Sequence, residues 1–189
     1  MKKQRANSRE KILAAAADVA RESGPGNLSL DAVAQRAGVS KGGLLYNFPT
    51  KAKLMQALVE HYLQEFQEAL ETTRKACGQG NLLAAYVKLS AKKFEEDQPP
   101  SSWIFSAIAE DPDFLAPMRI FQRQLFDRLK AETPDFEALL LTYFAVEGMR
   151  SANLFDFQVL SEQERRSLVT SLLSVAKGNL APVPAQALN

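Results

Sequence analysis

Along most of this chain, apolar residues recur three and four positions apart, the spacing that places them on one face of a helix. Between residues 8 and 23 they fall at Ile12, Leu13, Ala16, Val19 and Ala20. Asn7 or Ser8 can serve as the N-cap there, and Glu10 sits in the first turn, where the helix dipole favours an acid. Gly24-Pro25-Gly26-Asn27 ends that segment. Ser29 then caps a two-turn helix bearing Leu30, Val33 and Ala34, which Gly38 terminates. Val39 turns back toward the core, and Ser40 caps a third short helix from Lys41 to about Phe48. Pro49-Thr50 breaks the chain again, with Thr50 as the next cap.

The fourth helix is long, over residues 51–76: Leu54, Leu58, Tyr62, Phe66 and Leu70 repeat every four residues, and Met55, Val59 and Leu63 widen the stripe. Helices are further predicted over 81–97, 101–110, 113–131, 134–156 and 161–177. Pro99-Pro100 and Asp111-Pro112 mark boundaries, and Pro117 predicts a kink or split near residue 116. Thr133 is read as a cap with Pro134 as the first helical residue, and Ser161 with Glu164 as a capping box. No strand-like alternation and no internal repeat interrupts this pattern. The expected fold class is all-α, with about nine helices. A three-helix N-terminal bundle over 1–52 is joined by the long helix to a larger C-terminal bundle over 53–178, and 179–189 form a loose tail.

Composition narrows the possible chemistry. The 189 residues are 46% hydrophobic and 24% charged, ordinary globular values. No run approaches the roughly 18 apolar residues of a membrane span. The basic start, Met1 to Arg5, is followed by no apolar signal core, so a cytoplasmic protein without a membrane partner is expected. A single cysteine, Cys77, and a single histidine, His61, exclude an internal disulfide, a cysteine zinc cluster and a multi-histidine metal site. There is no phosphate loop, nucleophile elbow or paired histidine–carboxylate motif, and Glu95-Glu96-Asp97 reads as a solvated helix end. No catalytic residue, metal or cofactor is therefore expected.

The net charge of +1 conceals an asymmetry: residues 1–53 hold ten Lys/Arg against four acids, a net of +6, and the remainder carries −5. A basic head of this kind suits a polyanion. Its most informative part is the pair of short helices at 29–48, joined by a turn at Gly38. A helix-turn-helix needs a second helix that stands clear of the surface and fits the major groove. Val39 and Leu44 can pack that helix down while 41–43 and 46–47 face outward. Gly42 and Gly43 each lower helix propensity by about 1 kcal/mol relative to alanine. A close approach of backbone to DNA would explain them; relief of a tight turn is the plainer alternative.

The chain resembles the TetR family of bacterial transcriptional regulators. The resemblance rests on Leu28-Ser29-Leu30-Asp31-Ala32-Val33-Ala34, on Ala37-Gly38-Val39-Ser40-Lys41-Gly42, and on Leu44, Tyr46, Phe48, Lys51 and Leu54. It covers roughly residues 8–66. Two positions depart from the family pattern: Leu45 follows Leu44 where tyrosine is frequent, and Asn47 stands where histidine is frequent.

Within this frame Lys41, Tyr46 and Lys51 can reach phosphates, and Ser29 and Ser40 can do so through their hydroxyls or the helix N-termini they cap. Asn47 is the candidate for reading adenine, since an amide pairs bidentately with that base. Lys2, Lys3, Arg5 and Arg9 can track the backbone or enter the minor groove as an arm. Any one of these lysines alone would be an ordinary surface charge; their coincidence with the helix-turn-helix is what selects them.

The resemblance further implies a divergent C-terminal domain with an effector cavity and a two-fold dimer interface on the last two helices, about 134–156 and 161–177. Candidate effector residues are Tyr86, Phe94, Trp103, Phe105, Phe121, Tyr143, Phe144 and Glu147, although aromatics at helical spacing ordinarily just fill a core. Glu147 and Arg150, three apart, can simply pair with each other. The expected function is a ligand-responsive, dimeric regulator. It would most plainly be a repressor that a small hydrophobic or aromatic effector releases from a palindromic double-stranded DNA operator. The alternatives are a helical small-molecule-binding or sequestering protein without specific DNA binding, and a regulator answering to a protein partner.

Overall fold

The structure is a computed structural model that describes residues 2–24, 27–77, 81–95 and 113–179, with the backbone alone for 2–7, 23 and 95. Eight helices occur among the described residues: α1 (Lys2–Ser23), α2 (Leu30–Ala37), α3 (Lys41–Asn47), α4 (Lys51–Ala76), α5 (Leu82–Glu95), α6 (Ala116–Glu132), α7 (Phe136–Leu154) and α8 (Glu162–Ala176). No strand occurs among them, so the class is all-α as the sequence predicts. The helix expected over 101–110 lies outside the described residues. The chain packs as two compact units, Met1–Phe66 with Gln98–Arg123, and Gln67–Asp97 with Gln124–Asn189.

In the first unit, Ile12, Ala16, Leu28, Val33, Leu44, Phe48, Leu54 and Leu58 form one buried cluster. Burial of each large side chain contributes about 1.5–3 kcal/mol. The α2–α3 turn is fixed by local chemistry. Gly38 adopts the left-handed conformation at φ 66°, which a residue with a Cβ adopts only under strain. There its N–H bonds the Gln35 carbonyl at 3.2 Å, and the Val39 N–H bonds the Ala34 carbonyl at 3.0 Å. These two bonds make the glycine-terminated motif that closes a helix, with Val39 folded onto the core. Ser29 accepts from the Ala32 N–H at 3.1 Å, and Ser40 accepts from the Gly43 N–H at 3.1 Å, so both short helices start on a side-chain cap. Thr50 Oγ1 accepts from the Lys53 N–H at 3.1 Å and starts α4 in the same way.

Three local readings are corrected. Helix α1 begins at Lys2, so Asn7 and Ser8 lie within it and Glu10 is not in its first turn. Pro117 does not kink a helix over 113–131; α6 begins at Ala116 and the proline occupies its first turn, where a missing N–H costs nothing. Residues 113–115 are instead a turn, and it carries Phe114, fully buried, into the core of the first unit. The α7 cap is Asp135 rather than Thr133: its carboxylate accepts from the Ala138 N–H at 2.9 Å, and Pro134 precedes the helix. Aspartate is the stronger cap of the two.

In the second unit α5 is central, with Leu82 to Val87 all buried and with α7 and α8 packed against it. Asn81 works at both ends of a contact. Its Oδ1 caps α5 by accepting from the Ala84 N–H at 2.9 Å, and its Nδ2 donates to the Ala176 carbonyl at the end of α8 at 2.7 Å. At the other end of α5, Arg165 donates to the Phe94 carbonyl at 3.3 Å. The capping box is present, with Glu164 Oε2 accepting from the Ser161 N–H at 2.8 Å. A chain of ion pairs joins the last turns of α4 and α6: Glu71 to Arg128, Arg128 to Glu132 at 3.5 Å, and Glu132 to Arg74 at 2.6 Å.

Candidate nucleic-acid interface

Helix α3 is held down by Leu44, fully buried, and by the Phe48 that follows it. Lys41, Gly42, Leu45 and Tyr46 stand on its outer side, with Tyr46 67% exposed. A methyl group on Gly42 would meet nothing within 4 Å, whereas on Gly43 it would come 3.3 Å from the Ser40 hydroxyl. The outer face of α3 is thus bare backbone at Gly42 and tight only at the cap beneath Gly43.

The two polar ends of α3 are engaged within the protein. The Lys41 ammonium pairs with the Asp31 carboxylate on α2, at 2.9 Å from Oδ1 and 3.1 Å from Oδ2. The Asn47 amide donates to the Gly43 carbonyl one turn back at 2.8 Å. Reading adenine needs that amide as donor and acceptor at once, and its second N–H and its oxygen remain for that beside the Gly43 bond. Ser29 and Ser40 are exposed, and Lys51 is half-buried at the start of α4.

Other basic groups of the head have structural partners. Arg36 grips Glu22 with both guanidinium nitrogens, at 2.9 and 2.6 Å, tying the end of α2 to the end of α1. That hydrogen bond holds the Glu22 carboxyl below its ordinary value. Arg9 lies over the Phe48 ring, 5.3 Å from its centre, and fastens α1 to the end of α3. The Lys2, Lys3 and Arg5 side chains lie outside what is described. Asp31 is the residue of this face that the sequence reading passed over. Its only signal was a carboxylate in the first turn of α2, where it reads as a helix-dipole acid.

In the second unit four of the candidate effector residues meet. Tyr86 and Tyr143 stack with ring centres 5.8 Å apart, and Phe144 meets Tyr143 edge-on at 5.5 Å. The Tyr86 hydroxyl donates to Glu147 Oε1 at 2.6 Å, and Arg150 lies 3.4 Å from the same oxygen. Burial pushes the Tyr86 phenol well above its ordinary value, and Glu147 adds to this. The hydroxyl therefore stays a donor at any working pH. Phe126, not singled out from the sequence, completes the cluster edge-on to Tyr143 at 5.0 Å.

Phe94 lies elsewhere in this unit, in a cavity of about 490 Å³ whose walls include Met149, Asn153, Phe157, Leu160 and Arg165. Met149 and Asn153 come from α7, Phe157 and Leu160 from the turn after it and Arg165 from α8, a grouping that no spacing pattern reveals. Phe121 packs edge-on against Phe66 at 6.0 Å in the first unit, and Trp103 and Phe105 lie outside the described residues. Among the described residues no group of three or more His, Cys, Asp and Glu could hold a metal ion, and no helix is long and apolar enough to cross a membrane.

Two family models match this chain. Residues 12–58 match the one described as bacterial regulatory proteins, tetR family, and residues 80–177 match tetracyclin repressor-like, C-terminal domain. The HTH-type transcriptional regulator RutR of Escherichia coli (strain K12) is 30% identical over 141 residues, which are 74% of this chain and 64% of that protein. The chain thus spans less than two thirds of this relative's length. Among solved structures, a TetR transcription regulator from Haloarcula marismortui ATCC 43049 superposes with a TM-score of 0.67 at 18% identity, over 92% of this chain and 98% of the other. RolR in complex with resorcinol superposes with a TM-score of 0.60 at 14% identity, over 97% and 98%. At these identities the two structures share the fold.

Proposed function

The chain belongs to the TetR family of bacterial regulatory proteins, and from that premise we propose that it is a sequence-specific DNA-binding transcriptional regulator, a repressor that leaves its operator when a small hydrophobic or aromatic effector binds. The observation that carries this reading is the α2–α3 unit: two short helices on serine caps, turned at Gly38, the second presenting Lys41, Gly42 and Tyr46 outward. Such a helix lies in a major groove with its outward face toward the DNA. In this reading Ser29, Ser40, Lys41, Tyr46 and Lys51 contact phosphates, Gly42 and Gly43 admit the backbone, and Asn47 contacts a base edge. The protein acts in the cytoplasm as a homodimer through α7 and α8, on a palindromic operator, with no catalytic step and no cofactor.

The effector site belongs to the second unit. The Tyr86–Tyr143–Phe144 cluster with Glu147 and the 490 Å³ cavity at Phe94 support it, as does the resorcinol that RolR holds. Helices α4 and α6 each run through both packing units, so a ligand that favours one arrangement of the second unit can bias the first through continuous helix. A thousandfold loss of operator affinity requires about 4 kcal/mol of differential binding.

The test is selection from a random duplex pool, followed by titration of the enriched duplex and of an unrelated duplex at two salt concentrations. A specific regulator binds the enriched duplex about a thousandfold more tightly or better, with affinity falling as salt rises. The double variant Lys41→Ala, Tyr46→Ala loses that binding and keeps its helical melt. An absence of both enrichment and salt-dependent binding would favour the sequestering protein.

A further inference from the structure

Lys41 is the one charged residue of α3, and in the protein without DNA its charge is already answered. Asp31 reaches it from the first turn of α2 with both carboxylate oxygens, at 2.9 and 3.1 Å. Both side chains are open to solvent, 58% for the lysine and 71% for the aspartate, so this is a surface pair and not a buried anchor. A surface pair of this kind adds little to folding, about 0–1 kcal/mol, and α2 already has its cap in Ser29. In the first turn of α2 the carboxylate adds a helix-dipole contribution of about 0.3–1 kcal/mol, and DNA approaching α3 would meet it as a like charge.

We propose that Asp31 is a specificity-determining residue, a carboxylate clamp that withholds Lys41 from phosphates until the matched operator repositions it. The inference rests on the DNA-binding reading above. On unrelated DNA the ammonium stays with Asp31: a phosphate offered there must compete with a carboxylate at contact distance. On the operator, base contacts hold α3 deep enough in the groove for a phosphate to take the ammonium from Asp31. Nonspecific affinity is thereby lowered more than specific affinity, and a protein that must search a long chromosome gains from the ratio.

The test uses the full chain, the duplex enriched from the random pool, and an unrelated duplex of equal length. Asp31→Asn keeps the shape of the side chain and removes the charge. The expected result is that affinity for the unrelated duplex rises about two- to fivefold. The slope of log affinity against log salt on that duplex steepens by about 0.9, one additional phosphate contact. On the enriched duplex affinity and slope change much less, so the specificity ratio falls. In a Lys41→Gln background the same Asp31→Asn change has no such effect, because the clamp has nothing to release.

An equal gain on both duplexes overturns the proposal, as does no gain on either. So does a gain that persists without Lys41, which would make Asp31 a general negative charge. Binding of neither duplex by the unsubstituted protein is the separate result that overturns the DNA-binding reading, and the clamp with it. A thermal melt of Asp31→Asn within a few degrees of the parent keeps folding out of the comparison.

Discussion

Gly42 and Gly43 are adjacent and chemically identical, yet the structure separates them. A Cβ at Gly42 meets open space, and one at Gly43 meets the Ser40 hydroxyl at 3.3 Å. Gly42→Ala should stabilise the free protein by up to about 1 kcal/mol through helix propensity alone, read as a rise in the urea midpoint. If Gly42 is there to let backbone approach DNA, the same variant weakens binding to the enriched duplex; stability gained with affinity unchanged would leave turn geometry as its only role. Tyr86 is a second single-residue case. Its hydroxyl donates to a carboxylate at 2.6 Å inside the second unit. Tyr86→Phe should cost about 1.5–3 kcal/mol, the range for a hydrogen bond to a charged partner, and a urea midpoint unchanged from the parent would contradict this. Periodicity placed Tyr86 on an apolar face but could not reveal its Glu147 partner. That pairing arises only when α5 meets α7, 61 residues apart in sequence.

For whole elements, legibility follows the range of the interaction that sets each boundary. The ends of α2, α3 and α8 are set by contacts within five residues, at Ser29, Gly38, Ser40 and the Ser161–Glu164 box, and each is readable from the chain. The α7 start was misread because Thr133 and Asp135 are both plausible caps and the stronger one won. The buried turn at Phe114 was missed because its partners belong to the head, more than 50 residues earlier. Two carboxylates at helix ends are shifted by their partners. Glu22 is held below its ordinary value by the Arg36 hydrogen bond, and Glu164 is held below it by the Ser161 hydroxyl and N–H. A carboxylate with a depressed folded-state value binds protons less readily than in the unfolded chain. Its contribution is therefore intact above the ordinary value of 4.5 and is lost as pH falls through the lower folded value. The melting temperature should hold from neutrality to about pH 5 and decline below it. In Glu22→Gln with Glu164→Gln that acid decline should be shallower; an identical decline would assign it to other carboxylates.

At the scale of the whole molecule, the charge split and the exposed apolar surface point in different directions along the chain. The basic head suits a polyanion, and the acidic remainder carries large hydrophobic residues in solvent. On α7 and the residue that ends it, Leu141, Phe144, Gly148, Ser151 and Phe155 are all exposed, and their spacing of three, four, three and four keeps them on one helical face. Leu141 is 58% exposed and Phe144 63%, and the glycine and serine between the bulky residues let another helix come close. Water is a poor partner for such a face, whereas a second copy of the chain would cover it isologously. A stable contact of this kind needs about 1,000 Å² or more of buried surface, to which Leu168 and Val169, half-exposed on α8, would add. Leu141→Glu with Phe144→Glu should therefore give a monomer in sedimentation velocity where the parent sediments as a dimer. Leu141→Glu replaces an exposed apolar group and should shift the monomer's own stability by no more than about 0.5 kcal/mol, whereas Phe144→Glu also gives up the edge-on contact with Tyr143, about 0.5–1.5 kcal/mol. Affinity for the enriched duplex should nevertheless collapse, because a monomer brings one recognition helix to a site whose halves lie about 34 Å apart. Loss of the dimer with operator affinity intact would show that one head suffices, and the enriched sequence should then contain a single half-site.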